Sequence, residues 1–160
     1  MAWDLGDDIR HEPEPLDWHG DASSYTAFDV VDLAHLLEAK MALLAAGVVV
    51  VVAMLHAYFL VLEMFLWQRD STRKIFETSF EFARDSARMA ANQGLYNGFL
   101  SAGLIWSLVA YGPRDGRAIL GFFLACVIVA GVYGAATVNR KILFVQALPA
   151  AIAMVLVWLA

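Results

Sequence analysis

The sequence predicts an all-α membrane protein: an antiparallel bundle of four transmembrane helices, with a short amphipathic helix before the second span and a disordered acidic tail at the N-terminus. Three observations predict it. Of 160 residues, 61% are hydrophobic and 17% charged, whereas about a quarter are charged in soluble domains. Four apolar runs, Met41 to Trp67, Leu95 to Tyr111, Ala118 to Thr137 and Ile142 to Ala160, approach the ~20 residues with which a helix crosses a hydrocarbon core of ~30 Å. The connections around Pro113 and Arg140 are short, which makes their flanking helices antiparallel neighbours.

Residues 1–40 form an extension distinct from the membrane domain, residues 41–160. The extension holds ten acids against two bases, Arg10 and Lys40, and includes Glu12-Pro13-Glu14-Pro15. Such a composition buries too little apolar surface to order itself, so disorder is expected to about Ser24. From Thr26 to Glu38, Phe28, Val31, Leu36 and Leu37 alternate with Asp29, Asp32, His35 and Glu38, the pattern of a short amphipathic helix leading into span 1. The acidic start and the long first apolar run do not read as a cleaved signal.

Span 1 carries His56 and Glu63, seven residues apart and therefore on one helical face. After it, Thr78-Ser79-Phe80-Glu81 fits a capping box, from which a surface helix continues through Ala83 and Ala87 into span 2. Span 2 is the most polar, with Asn97, Ser101 and Ser107, and its helical start holds Asn92 and Gln93. Span 3 contains the single cysteine, Cys126, which excludes an intrachain disulfide. Span 4 contains Pro149, which removes one intrahelical hydrogen bond, frees the carbonyl of Val145 and predicts a kink beside Gln146. Small residues at Gly94, Gly98 and Ala102, and at Gly131 and Ala135, give the spacing that lets helix backbones approach closely.

Basic residues near the spans orient the chain. The side with the first and third connections holds seven, Arg69, Arg73, Lys74, Arg84, Arg88, Arg140 and Lys141; the other holds four. The seven-base side is expected in the cytoplasm, which makes this a multi-pass protein of the plasma or inner membrane with both termini outside.

Polar residues in the spans are unevenly placed. Glu63, Tyr133 and Gln146 each sit four residues inside one membrane boundary, about 6 Å at 1.5 Å per residue, and Asn97 reaches a similar level. These four come from four different spans yet share the leaflet on the seven-base side, while the other halves of spans 3 and 4 are nearly all aliphatic. A pocket open toward that side follows, floored by His56. Its expected ligand-binding set is Asn92, Gln93, Tyr96, Asn97, Tyr133, Thr137, Lys141 and Gln146, with Glu63 and His56 as the proton or acid–base site. An intramembrane carboxylate is costly and marks function by default, although pairing with Lys141, or bonds from Asn and Gln, would also give Glu63 a purely structural role.

No metal site is expected: His11, His19 and His35 lack ligand spacing. No cofactor is expected, and no phosphate loop, GxSxG, HExxH or basic nucleic-acid patch is present. The partners expected are the lipid bilayer, a small-molecule ligand and a second copy of the chain, because four short spans enclose little volume.

The stretches HAYFLVLEMFLW (His56 to Trp67), AANQGLYNGFLSAGLIW (Ala90 to Trp106) and VIVAGVYGAATVNRKILFVQALPA (Val127 to Ala150) resemble the small bacterial integral membrane proteins grouped as domain of unknown function 1304. The resemblance covers about Met41 to Ala160. It implies a four-helix membrane protein without an established activity; the epimerase label some members carry finds no dinucleotide fingerprint here. Relatives of this kind begin near the first span, so Met41 competes with Met1 as the start. Three functions follow in order: small-solute or proton-coupled transport or binding, an intramembrane acid–base isomerase or epimerase using Glu63 and His56, and a structural subunit of a membrane assembly.

Overall fold

The computed structural model describes residues 22–160, with side chains from residue 30 onward. Among these residues all regular structure is helical and no strand occurs. The order is α1 (Ala22–Phe65), α2 (Asp70–Phe76), α3 (Phe80–Asp85), α4 (Ala87–Asp115), α5 (Arg117–Thr137), a π-helical turn (Leu143–Ala147) and α6 (Leu148–Leu159).

Neither glycine nor proline occurs between Ala22 and Ala46, and α1 runs unbroken for 44 residues. Thr26 to Glu38 therefore forms its opening turns instead of a separate short helix. The expected disordered tail falls almost wholly outside the described residues, as do His11 and His19. Among the described residues two helices are long and apolar enough to cross a membrane, Val30–Phe65 of α1 and Arg117–Thr137, which is α5. Leu143–Leu159 is apolar but shorter. Helix α4 has the length, 29 residues, but its amides, hydroxyls and arginines dilute its hydropathy.

The first connection differs from expectation in three ways. It contains α2, which no periodicity announced. The cap of α3 is Ser79, whose Oγ accepts from the Phe82 N–H at 3.1 Å; the capping box read from the sequence starts one residue earlier, at Thr78, whose hydroxyl is instead buried without a partner among the described residues. The surface helix also does not run smoothly into the next, because Ser86 adopts φ −93°, ψ 1° between α3 and α4. Its hydroxyl donates to the Phe82 carbonyl (2.6 Å) and accepts from Trp67 Nε1 (3.1 Å), so the end of α1 is tied to this bend.

Helix α4 bends at Gly112, whose φ of 73° is open to glycine and which precedes Pro113. At the same end Arg114 donates from Nε to the Ala160 carbonyl (2.6 Å) and from its guanidinium to Glu38 (3.2 Å). Ahead of α6, Pro149 cannot donate to Val145, and the five residues before Leu148 widen into the π-helical turn. The expected kink thus takes the form of a widened turn that contains Gln146.

Packing follows the small residues. A Cβ on Gly94 would lie 3.0 Å from the Met64 backbone nitrogen, and one on Gly131 2.8 Å from that of Ala147. At these points α1 meets α4, and α5 meets the π-helical turn, nearly backbone to backbone. An apolar core is shared by α1, α4, α5 and α6, with Val49, Leu104, Leu124 and Ala153 fully enclosed. The outward faces are apolar as well: Leu43, Val51, Val109, Phe122 and Val129 are all exposed.

Candidate functional site

Beyond the apolar core, toward the ends of α1 and α5 that meet the first and third connections, the helices part around a cavity of about 600 Å³. Its walls come from α1, α2, α4, α5 and the π-helical turn. Six of the sequence-expected ligand residues line it: Gln93, Asn97, Tyr133, Thr137, Lys141 and Gln146, together with Glu63.

Burial grades these residues by depth. Asn97 is buried, Glu63 and Gln146 are half-buried, and Gln93, Thr137 and Lys141 are exposed. At the inner end the Asn97 Nδ2 donates to Glu63 Oε2 at 2.7 Å across the α1–α4 seam that Gly94 makes close. One carboxylate oxygen is thereby committed to a neighbouring helix. The Gln146 amide contributes little to its surroundings, since its approach to the Val127 carbonyl is 3.5 Å, at the outer limit of a hydrogen bond. The Thr137 hydroxyl donates to its own helix at Tyr133 (2.8 Å), leaving its oxygen to accept.

Lys141 does not pair with Glu63. Its Nζ lies 2.7 Å from Glu77 Oε1, at the mouth. The reason is position: Glu77 closes α2 in the left-handed region, φ 55°, and α2 lies between α1, which its Phe76 meets at Phe59, and the third connection, which its Glu77 meets at Lys141, in a place that sequence periodicity left empty. The hydrogen bond from Lys141, and then its charge, hold the Glu77 carboxyl below its ordinary value. Both side chains are well exposed, so this pair orients the mouth more than it stabilises the fold.

Three expected residues lie elsewhere. His56 is fully buried and does not line the cavity; its Nδ1 bonds the Val52 carbonyl at 2.8 Å and its Nε2 has no partner among the described residues. Its ring packs edge-on against Phe59, 6.3 Å between centroids, and Phe59 is a wall residue. Asn92 and Tyr96 are exposed on the outer side of α4, where Tyr96 stacks edge-on with Phe99. A helix with amides at 92, 93 and 97 cannot turn all of them to one side, because 92 and 93 are about 100° apart at 3.6 residues per turn.

An aromatic wall went unforeseen. Phe76 packs against Trp67 (5.0 Å) and Phe59 (6.4 Å), edge to face, and all three line the cavity beside Glu63. The signal was present for two of them: Phe59, Glu63 and Trp67 recur every four residues on one face of α1. Phe76 had none, since α2 is too short for its pattern to register.

The family model described as "Protein of unknown function (DUF1304)" matches residues 50–158, the stretch that supplies every wall of this cavity. The chain is similar to "Uncharacterized protein YpaA" of Lactococcus lactis subsp. lactis (strain IL1403), 30% identical over 108 residues that make up 66% of this chain and 89% of that protein. No solved structure matches.

Proposed function

The chain belongs to the DUF1304 family of proteins of unknown function, and we propose from that premise that it is a multi-pass membrane protein that binds a small solute in a cavity open to one face. In this reading α1, α4, α5 and the helical stretch Leu143–Leu159 are the four spans of an antiparallel bundle in the plasma membrane. The apolar outward faces support it, since they suit acyl chains. The cavity end is then the cytoplasmic one by the excess of Lys and Arg beside it.

One observation carries the reading. Polar side chains from four helical segments meet around an open volume of about 600 Å³ at one end, while the same helices close over a continuous apolar core at the other. That volume lies within the ~300–1,000 Å³ of small-molecule sites. The closed core favours binding from one side over a permanent path, so flux would require the core to open. The burial of His56 away from the cavity disfavours a shared acid–base reaction with Glu63.

A panel of small solutes tests the proposal by thermal unfolding in mild detergent, with wild type beside Thr137→Trp, which fills the mouth. A ligand at 100 times its dissociation constant stabilises by about 2.7 kcal/mol. Solutes that raise the midpoint of wild type alone are the expected result; a panel that shifts neither protein, or both equally, overturns it. The Asn97–Glu63 bond favours a second reading, a polar layer that only fixes helix packing in a membrane assembly, and the same flat panel is what that reading expects.

A further inference from the structure

The cavity's charged lining residues are Glu63, Glu77 and Lys141. Glu77 and Lys141 neutralise each other across 2.7 Å at the mouth. Deeper in, Glu63 hydrogen-bonds among the described residues to the neutral Asn97 amide alone, and Lys141 is the one Lys or Arg of the described residues that lines the cavity. A carboxylate held there has no counter-ion among the described residues. Beside it stands the wall of Phe59, Trp67 and Phe76, with Phe76 packed edge to face on the other two, and Tyr133 also lines the cavity. Aromatic faces attract cations through their quadrupoles, Trp most strongly, and they also accept apolar substituents. Anions find little here, because Glu63 repels them and the ammonium of Lys141 is already bonded to Glu77.

We propose that the cavity takes an organic cation, an ammonium or related onium group carrying apolar substituents, with its charge on Glu63 and its apolar part against Phe59, Trp67 and Phe76. This rests on the reading of the cavity as a solute site and names the class of solute. The cation completes the charge balance of the inner end, and Asn97 keeps the carboxylate aimed by holding one oxygen while the other stays free to accept. Gln93 and Gln146 offer carbonyl oxygens to an ammonium with remaining N–H groups. The same chemistry is carried by a soluble amine and by the ammonium headgroup of phosphatidylethanolamine.

Two ions of nearly the same shape and opposite charge make the test: tetraphenylphosphonium and tetraphenylborate, measured by equilibrium binding to the full chain in an uncharged detergent, with benzyltrimethylammonium as a smaller cation. Saturable binding of at least one cation is expected, near one per chain and at least tenfold tighter than tetraphenylborate. Glu63→Gln should weaken the cation tenfold or more, and Glu63→Asp should restore part of the loss. Phe76→Leu, on α2 and outside the helical core, should weaken it several-fold and serves where Glu63→Gln does not fold. Nanodiscs with and without phosphatidylethanolamine separate the sources: competition by that lipid assigns its headgroup, and equal binding assigns a soluble cation. Tetraphenylborate binding as tightly as the cations, cation binding indifferent to both Glu63→Gln and Phe76→Leu, or no saturable binding of either cation overturns the assignment. The solute panel of the preceding section then decides separately whether the cavity binds solutes at all.

Discussion

Glu63 and Asn97 are the two residues on which the inner end of the cavity depends, and they respond differently to change. Asn97→Leu removes the donor and leaves the carboxylate with no protein partner, so it should destabilise by about 0.6 to 1.7 kcal/mol, the range of hydrogen bonds between membrane helices. Glu63→Gln keeps an acceptor oxygen for the same donor and should cost less. Thermal unfolding of the two variants in detergent checks the order; a larger loss for Glu63→Gln would mean that the charge itself holds the helices. At the mouth, Glu77 makes a pH prediction. Its folded value is lowered by Lys141, so its contribution is complete above the ordinary value of 4.5 and is lost as pH falls through the lowered folded value. Proteolytic nicking between Phe76 and Phe80 should therefore accelerate below that ordinary value in wild type, and be already fast and pH-independent across this range in Glu77→Gln.

At the scale of elements, close approach at glycine is the device that brings polar groups from different helices together. Gly131→Ala puts a methyl group 2.8 Å from the Ala147 backbone nitrogen, where nothing flexible can yield. It should cost about 1–3 kcal/mol, the range of overpacked sites. Gly47→Ala meets nothing within 4 Å and should be neutral or stabilise by up to about 1 kcal/mol through helix propensity. Unfolding midpoints of the pair decide whether the seam or the glycine content matters. These seams were legible in the sequence because four-residue spacing of small residues is a local pattern. So were the start and end of α5, and the grouping of Glu63, Asn97, Tyr133 and Gln146, which line one cavity. Helix α2 was not legible: seven residues give no usable period, and its left-handed close at Glu77 is set by what it packs on. The aim of Lys141 was lost for the same reason, since its partner stands on that helix. His56 shows a different failure, because a seven-residue spacing fixes the face of a helix but not whether a neighbour covers it.

At the scale of the whole molecule, one end of the described helices is polar and the other closes over an apolar core; on the proposed reading the polar end is a solute cavity facing one side of a membrane. Substituted-cysteine labelling tests it most directly. In a Cys126→Ala background, Gln93→Cys, Gln146→Cys and Leu124→Cys are made singly, and each is exposed to a membrane-impermeant maleimide in right-side-out and in inverted vesicles. Gln93 and Gln146 line the cavity, whereas Leu124 is enclosed in the core. The first two are expected to label in inverted vesicles only, and Leu124→Cys in neither. Labelling of Gln93→Cys and Gln146→Cys from the opposite face, or from both, would contradict it.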